Sequence, residues 1–141
     1  MSVQMILLPL FAQVLLTIAL GLHLAVRRRI AFGEGTRWQD ISMREPNWPK
    51  DAIIANNAFL NQFEIPVLFY VLTILVLITK QADILFVMMA WIFVVMRYLQ
   101  AGVFLTTNHV PIRGAFFGIG VLVLVIMWVI YIVRILTLSW I

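Results

Sequence analysis

The sequence predicts an all-α membrane protein built as a four-helix transmembrane bundle. Two observations carry that prediction. Of 141 residues, 64% are hydrophobic and only 11% are charged. The apolar residues gather into four segments, 5–26, 52–79, 84–106 and 112–138, each at or beyond the ~20 residues that cross ~30 Å of hydrocarbon. A water-soluble bundle needs a polar face on every helix, and none of these segments has one. The length suits a single domain over 1–141. Its helices are expected at about 3–28, 52–79, 83–107 and 111–138, with a polar loop over 29–51.

The first segment lacks the basic start and the small-residue cleavage site of a secretory signal, and its apolar run is too long for one. Arg27, Arg28 and Arg29 follow it directly, as a stop-transfer cluster does. It is expected to stay as a helix. The loop that follows holds most of the net charge of +4, through Arg27, Arg28, Arg29, Arg37, Arg44 and Lys50. The positive-inside rule places this loop in the cytoplasm and both termini on the other side. Such a basic loop needs only anionic headgroups as partners, and nucleic acid is not expected. Trp38 and Trp48 suit a loop lying against the membrane interface, Gly33 and Gly35 mark a turn, and Pro46 and Pro49 lead into the second helix.

Glu64 and Arg97 stand inside the second and third apolar segments. A charge in hydrocarbon costs at least ~2.5–3.5 kcal/mol and nearly always has a partner, a watery cavity or a task. Lys80 and Asp83 flank one tight turn and mark a common depth. Glu64 lies ~24 Å from that level and Arg97 ~21 Å, at 1.5 Å per residue. The two charges therefore sit within about one helical turn of each other in height, and an ion pair or a shared ligand is expected between them.

Each charge also belongs to a stripe. Asn57, Asn61 and Glu64 share one face of the second helix, and Arg97, Gln100, Phe104 and Asn108 share one face of the third. Arg113 stands at the start of the fourth helix, with Pro111 suited to its first turn, where a helix N-terminus favours an anion. The residues alone leave two readings open: a polar cleft that holds a ligand, or a buried pair and amides that fix helix register. Four helices are few to enclose a cleft, so a homo-oligomer is expected. In the fourth helix Gly114, Gly118 and Gly120 form a small-residue face read as close helix packing, and Arg134 is read as snorkelling to the far interface. The chain has no cysteine, which excludes disulfides and thiolate chemistry of its own. His23 and His109 lack metal-ligand spacing, and no metal site is expected.

The run N-N-A-F-L-N-Q-F-E-I-P-V-L-F over 56–69, the segment R-Y-L-Q-A-G-V-F over 97–104 and P-I-R over 111–113 together resemble the MAPEG family, the membrane-associated proteins of eicosanoid and glutathione metabolism. The resemblance covers nearly the whole chain. It implies a homotrimer that binds glutathione as cofactor between subunits and acts on a lipophilic small-molecule substrate dissolved among membrane lipids, as a transferase or peroxidase. It implies that Asn57, Asn61, Glu64, Arg97 and Gln100 hold the tripeptide and that Arg113 is catalytic, stabilising its thiolate. An arginine of the 27–29 cluster is implied as a contact to a glutathione carboxylate. A non-catalytic lipid-binding or accessory subunit of the same fold is the alternative that the resemblance also implies. Where the signature usually opens with arginine this chain has Asn57. Gln100 and Phe104 replace histidine or tyrosine, and Gly114 and Phe117 replace a small hydroxyl residue and a tyrosine. Proline follows the glutamate by two residues, which resembles a divergent bacterial-type branch and implies a bacterial inner membrane.

Overall fold

In the computed structural model of the chain, residues 1–42 and 47–138 are described. Arg44 and Pro46, counted above among the features of the polar loop, lie outside the described residues. The described residues form six α-helices: α1 (Val3–Gly33), α2 (Trp38–Ile41), α3 (Lys50–Leu60), α4 (Ile65–Thr79), α5 (Ile84–Leu105) and α6 (Val110–Thr137). Among the described residues four spans are long and apolar enough to cross a membrane: α1, α3 with α4, α5, and α6.

Helix α1 begins where the Ser2 hydroxyl accepts the Met5 N–H at 3.3 Å, a standard N-cap. It continues past residue 28 because nothing in 29–32 breaks a helix. It ends beside Gly35, whose φ of 103° is open to glycine and costly for other residues. Its last turns extend beyond the length that hydrocarbon requires. There the Phe32 ring meets Trp38 at 4.8 Å and Trp48 at 5.5 Å, while the Arg28 guanidinium lies 5.1 Å over Trp48. The loop expected over 29–51 is therefore partly helix, folded onto the end of α1 by its aromatic residues.

The second membrane span is not the continuous helix expected over 52–79. Helix α3 stops at Leu60, a single 3₁₀ turn covers Asn61–Phe63, and α4 restarts at Ile65. Pro66 explains the break. It has no N–H to offer the carbonyl four residues back, and its ring crowds that carbonyl. Glu64 sits at the restart with φ −98° and ψ −103°, outside helical geometry.

On the opposite side of the bundle, Lys80 closes α4 in a left-handed conformation, φ 56°, and Asp83 accepts the Phe86 N–H at 2.9 Å to open α5. Pro111 lies in the first turn of α6, as its sequence position predicts. Phe69, Leu72 and Val76 of α4, Phe93 and Val94 of α5, and Leu124 and Met127 of α6 form the main buried cluster, with Phe69 and Phe93 rings 4.9 Å apart. Helix α1 packs against α3, α4 and α5. A Cβ on Gly21 would come within 3.0 Å of the Phe59 ring, so the approach of α1 to α3 depends on that glycine.

The glycines of α6 correct an expectation. A Cβ added to Gly114 or Gly118 would meet nothing within 4 Å, and one on Gly120 would make ordinary contact with Met96. Close packing inside this chain therefore does not account for the 114–118 spacing. Gly114 instead opens onto the groove described next.

Candidate functional site

The break in the second span organises the site. A helix end leaves carbonyls without intrahelical donors, and in hydrocarbon no water is at hand to satisfy them. Arg97 of α5 supplies the donor: its Nη2 reaches the Asn61 carbonyl at 3.0 Å, and its Nη1 donates to Gln100 Oε1 at 2.7 Å. The side chain is buried, with 3% exposure. Its cation thus lies at the carbonyl end of α3, the favourable pole of a helix dipole. Two hydrogen bonds from a charged donor contribute ~1.5–3 kcal/mol each. That offsets the ~2.5–3.5 kcal/mol cost of an arginine in the membrane.

No Glu64–Arg97 ion pair forms within 4.0 Å among the described residues, which overturns the expected direct pairing. The two segments still meet at the depth their spacing predicts, since Arg97 bonds Asn61, a residue within one turn of Glu64. Glu64 goes to the other side of the break. It stands just before α4, at the pole that favours an anion, and its side chain is exposed.

Asn57, Asn61, Glu64, Gln100, Phe104, Arg113, Gly114 and Phe117 line one open groove of about 400 Å³. Of the residues singled out in the sequence, Asn57, Asn61, Glu64, Gln100 and Arg113 therefore converge, while Arg97 lies behind the wall. Because Arg97 can only donate, it takes the carbonyl oxygen of the Gln100 amide and leaves the amino group to face elsewhere. The groove accordingly carries one carboxylate, one guanidinium and three carboxamides. Arg113 donates to Asn108 Oδ1 at 2.5 Å, and its Cζ lies 4.4 Å over the Phe104 ring.

The arginines that end α1 do not line this groove. Arg28 donates to Asn56 Oδ1 at 3.2 Å, and Arg27 lies 3.6 Å from Asp51. Among the described residues no group of three or more His, Asp and Glu side chains is placed to hold a metal ion.

Farther into the membrane, α4 and α6 form a second groove of about 400 Å³, lined by Ile65, Leu68, Val121, Leu124, Val125, Trp128, Val129 and Ile132. It begins beside Glu64 in sequence and one turn beyond Phe117 on α6, so apolar lining follows polar lining along the same helix.

Two buried amides escaped the sequence reading. Gln13 donates to Gln62 Oε1 at 2.8 Å, and Gln62 donates to the Ala58 carbonyl at 3.0 Å. The signal was present: Gln13 is a lone amide in the middle of an apolar helix, where polar residues join helices. Arg134 was also misread. It pairs with Asp83 at 2.6 Å and reaches the Gln81 carbonyl at 3.4 Å, so it ties α6 to the α4–α5 turn and does not simply snorkel.

A family model described as MAPEG family matches residues 6–133. No curated protein and no solved structure matches the chain.

Proposed function

Because the chain belongs to the MAPEG family, we propose that it is a glutathione-dependent transferase or peroxidase acting on lipophilic electrophiles. It is an integral, multi-pass membrane protein. The observation that carries the proposal is the groove in which Glu64 and Arg113 face a common space lined by Asn57, Asn61 and Gln100. Two nitrogens of Arg97 are taken by an amide and a backbone oxygen, its Nε is buried without a hydrogen-bond partner, and among the described residues none of them pairs with Glu64 within 4.0 Å, so we read the Glu64 carboxylate as open to a ligand. A zwitterionic peptide fits this set: its ammonium meets the carboxylate, and its acceptors meet the amides. Arg113 lies where a fixed cation lowers a thiol's pKa from ~8.5 and makes it nucleophilic at neutral pH.

The apolar groove along α4 and α6 suits a membrane-dissolved second substrate beside that thiol. The polar groove is open on one side, which a homotrimer would close. The basic loop at this end of the bundle supports a cytoplasmic opening, with both termini outside and a bacterial inner membrane as the setting.

Phe104 and Phe117 favour a second reading, a non-catalytic lipid-binding or accessory subunit. They keep the aromatic shape without hydroxyls, and each missing hydrogen bond costs ~0.5–1.5 kcal/mol. Titration of the purified protein with glutathione separates the two. The enzyme shows saturable binding and thiolate absorbance at neutral pH, and Arg113→Ala abolishes the absorbance. Absence of saturable binding at millimolar glutathione rules out the enzyme and leaves the lipid-binding reading.

A further inference from the structure

We propose that Asn108 is a positioning residue that aims Arg113 into the groove without placing an opposing charge against it. The inference rests on the glutathione reading above and deepens it, because it identifies what fixes the cation in place.

Helix α5 ends at Leu105, and the chain reverses through residues 106–109 before α6 begins. Within that turn Asn108 adopts φ 50°, the left-handed region that asparagine tolerates better than other residues bearing a side chain. Its N–H bonds the Val103 carbonyl at 2.7 Å, which anchors the backbone to the end of α5. The side chain is then directed at Arg113, and Oδ1 accepts from Nη1 at 2.5 Å. The Arg113 N–H bonds the His109 carbonyl at 3.0 Å, so the arginine backbone already belongs to the first turn of α6. Phe104 supports the face of the guanidinium at 4.4 Å. The cation is thereby held by one neutral acceptor and one aromatic ring, both supplied by the end of α5 and its turn.

The chemistry of residue 108 matters because it is an amide. An arginine left free would sample many rotamers and spend little time aimed at a ligand. A carboxylate at 108 would pin it but cancel much of its field. A carboxamide pins it, adds no opposing charge and leaves unspent N–H donors, while Glu64, the carboxylate that lines the same groove, makes no ion pair with it within 4.0 Å. The step served is the ionisation of the bound thiol. The S–H bond breaks, sulfur keeps the electron pair, and the proton passes to bulk water. No other reactant is needed.

The test uses the full-length protein in detergent, with glutathione and S-methylglutathione as probes. Asn108→Gly keeps the left-handed backbone and removes the acceptor. It should raise the pH midpoint of bound-thiolate absorbance by about half to one unit. Binding of S-methylglutathione, which has no thiol to ionise, should stay within about twofold. In an Arg113→Ala background the same substitution should cause no further shift, because Asn108 acts only through the arginine.

Three results overturn the inference alone: an unchanged midpoint with binding intact, an equal shift in the Arg113→Ala background, or parallel loss of both probes, the mark of a merely structural turn. Failure of the unaltered protein to bind glutathione sinks the functional proposal, and this inference with it.

Discussion

The two ends of the bundle treat their charges in opposite ways. At the α4–α5 turn, Asp83 and Arg134 meet directly at 2.6 Å. Each is the other's partner. At the loop end, Glu64 and Arg97 stand one turn apart in depth without meeting. There the helix break separates them, with two nitrogens of the cation bonded to a backbone carbonyl and an amide and the carboxylate turned to the groove. The difference teaches what marks a site in this fold. A charge that has found its counter-charge is structure. A charge whose natural counter-charge has been satisfied elsewhere is available for chemistry.

The sharpest way to break this comparison is to remove Arg97. Arg97→Leu leaves the Asn61 carbonyl and Gln100 Oε1 buried without that donor, and each such loss costs ~1–3 kcal/mol. The expected outcome is a loss of about 2–4 kcal/mol in stability, read from unfolding in detergent. Glu64→Gln should leave stability within about 0.5 kcal/mol yet weaken glutathione binding at least about tenfold, or ~1.4 kcal/mol. The double variant should show additive stability effects, with a coupling below about 0.5 kcal/mol. A double variant more stable than Arg97→Leu alone would show that the two residues pair after all.

That expectation reverses the one the sequence supports, and the reason is physical. Hydropathy identified four spans because the membrane demands ~20 apolar residues regardless of which they are. Periodicity placed Asn57, Asn61, Glu64 and Gln100 on the faces that do meet. What sequence could not reveal was Arg97's partner, since every residue offers a carbonyl and only a helix break frees one. Pro66 was the visible cause of that break, and residue spacing alone did not show whether the chain would kink there or bend smoothly. Spacing identifies a small face but does not say whether this chain supplies the surface against it.

The opposite end offers a smaller effect with a defined pH signature. Partial burial pushes the Asp83 carboxyl up, but the Arg134 guanidinium and the Phe86 N–H outweigh it and hold the group below its ordinary value. A carboxylate lowered on folding contributes stability that is present above the unfolded value of ~3.9 and is lost as pH falls through the folded one. Asp83→Asn should therefore cost about 0.5–1 kcal/mol at pH 7, the range of a partly exposed pair. The gap from the unaltered protein should close as pH falls below ~3.9. A gap that persists unchanged in acid would mean that the charge of Asp83 is not its cause, since asparagine keeps the cap on α5. Glutathione affinity should not respond to this substitution, because the pair lies at the other end of the bundle.

Gln13 and Gln62 test the same distinction with neutral groups, at an effect of similar size. The two amides touch at 2.8 Å, so unlike Glu64 and Arg97 they should couple. Gln13→Leu deprives Gln62 Oε1 of its donor in a buried place, and Gln62→Leu does the same to the Gln13 amino group. Interhelical hydrogen bonds in membranes average only ~0.6 kcal/mol, and each single variant should lose about 0.5–1 kcal/mol on that scale. The double variant replaces both amides by apolar groups of similar size, and such a replacement is close to neutral. It should therefore unfold closer to the unaltered protein than either single variant does. Simple addition of the two losses would show that α1 and the helix break are held together by packing, with the amide contact contributing nothing of its own.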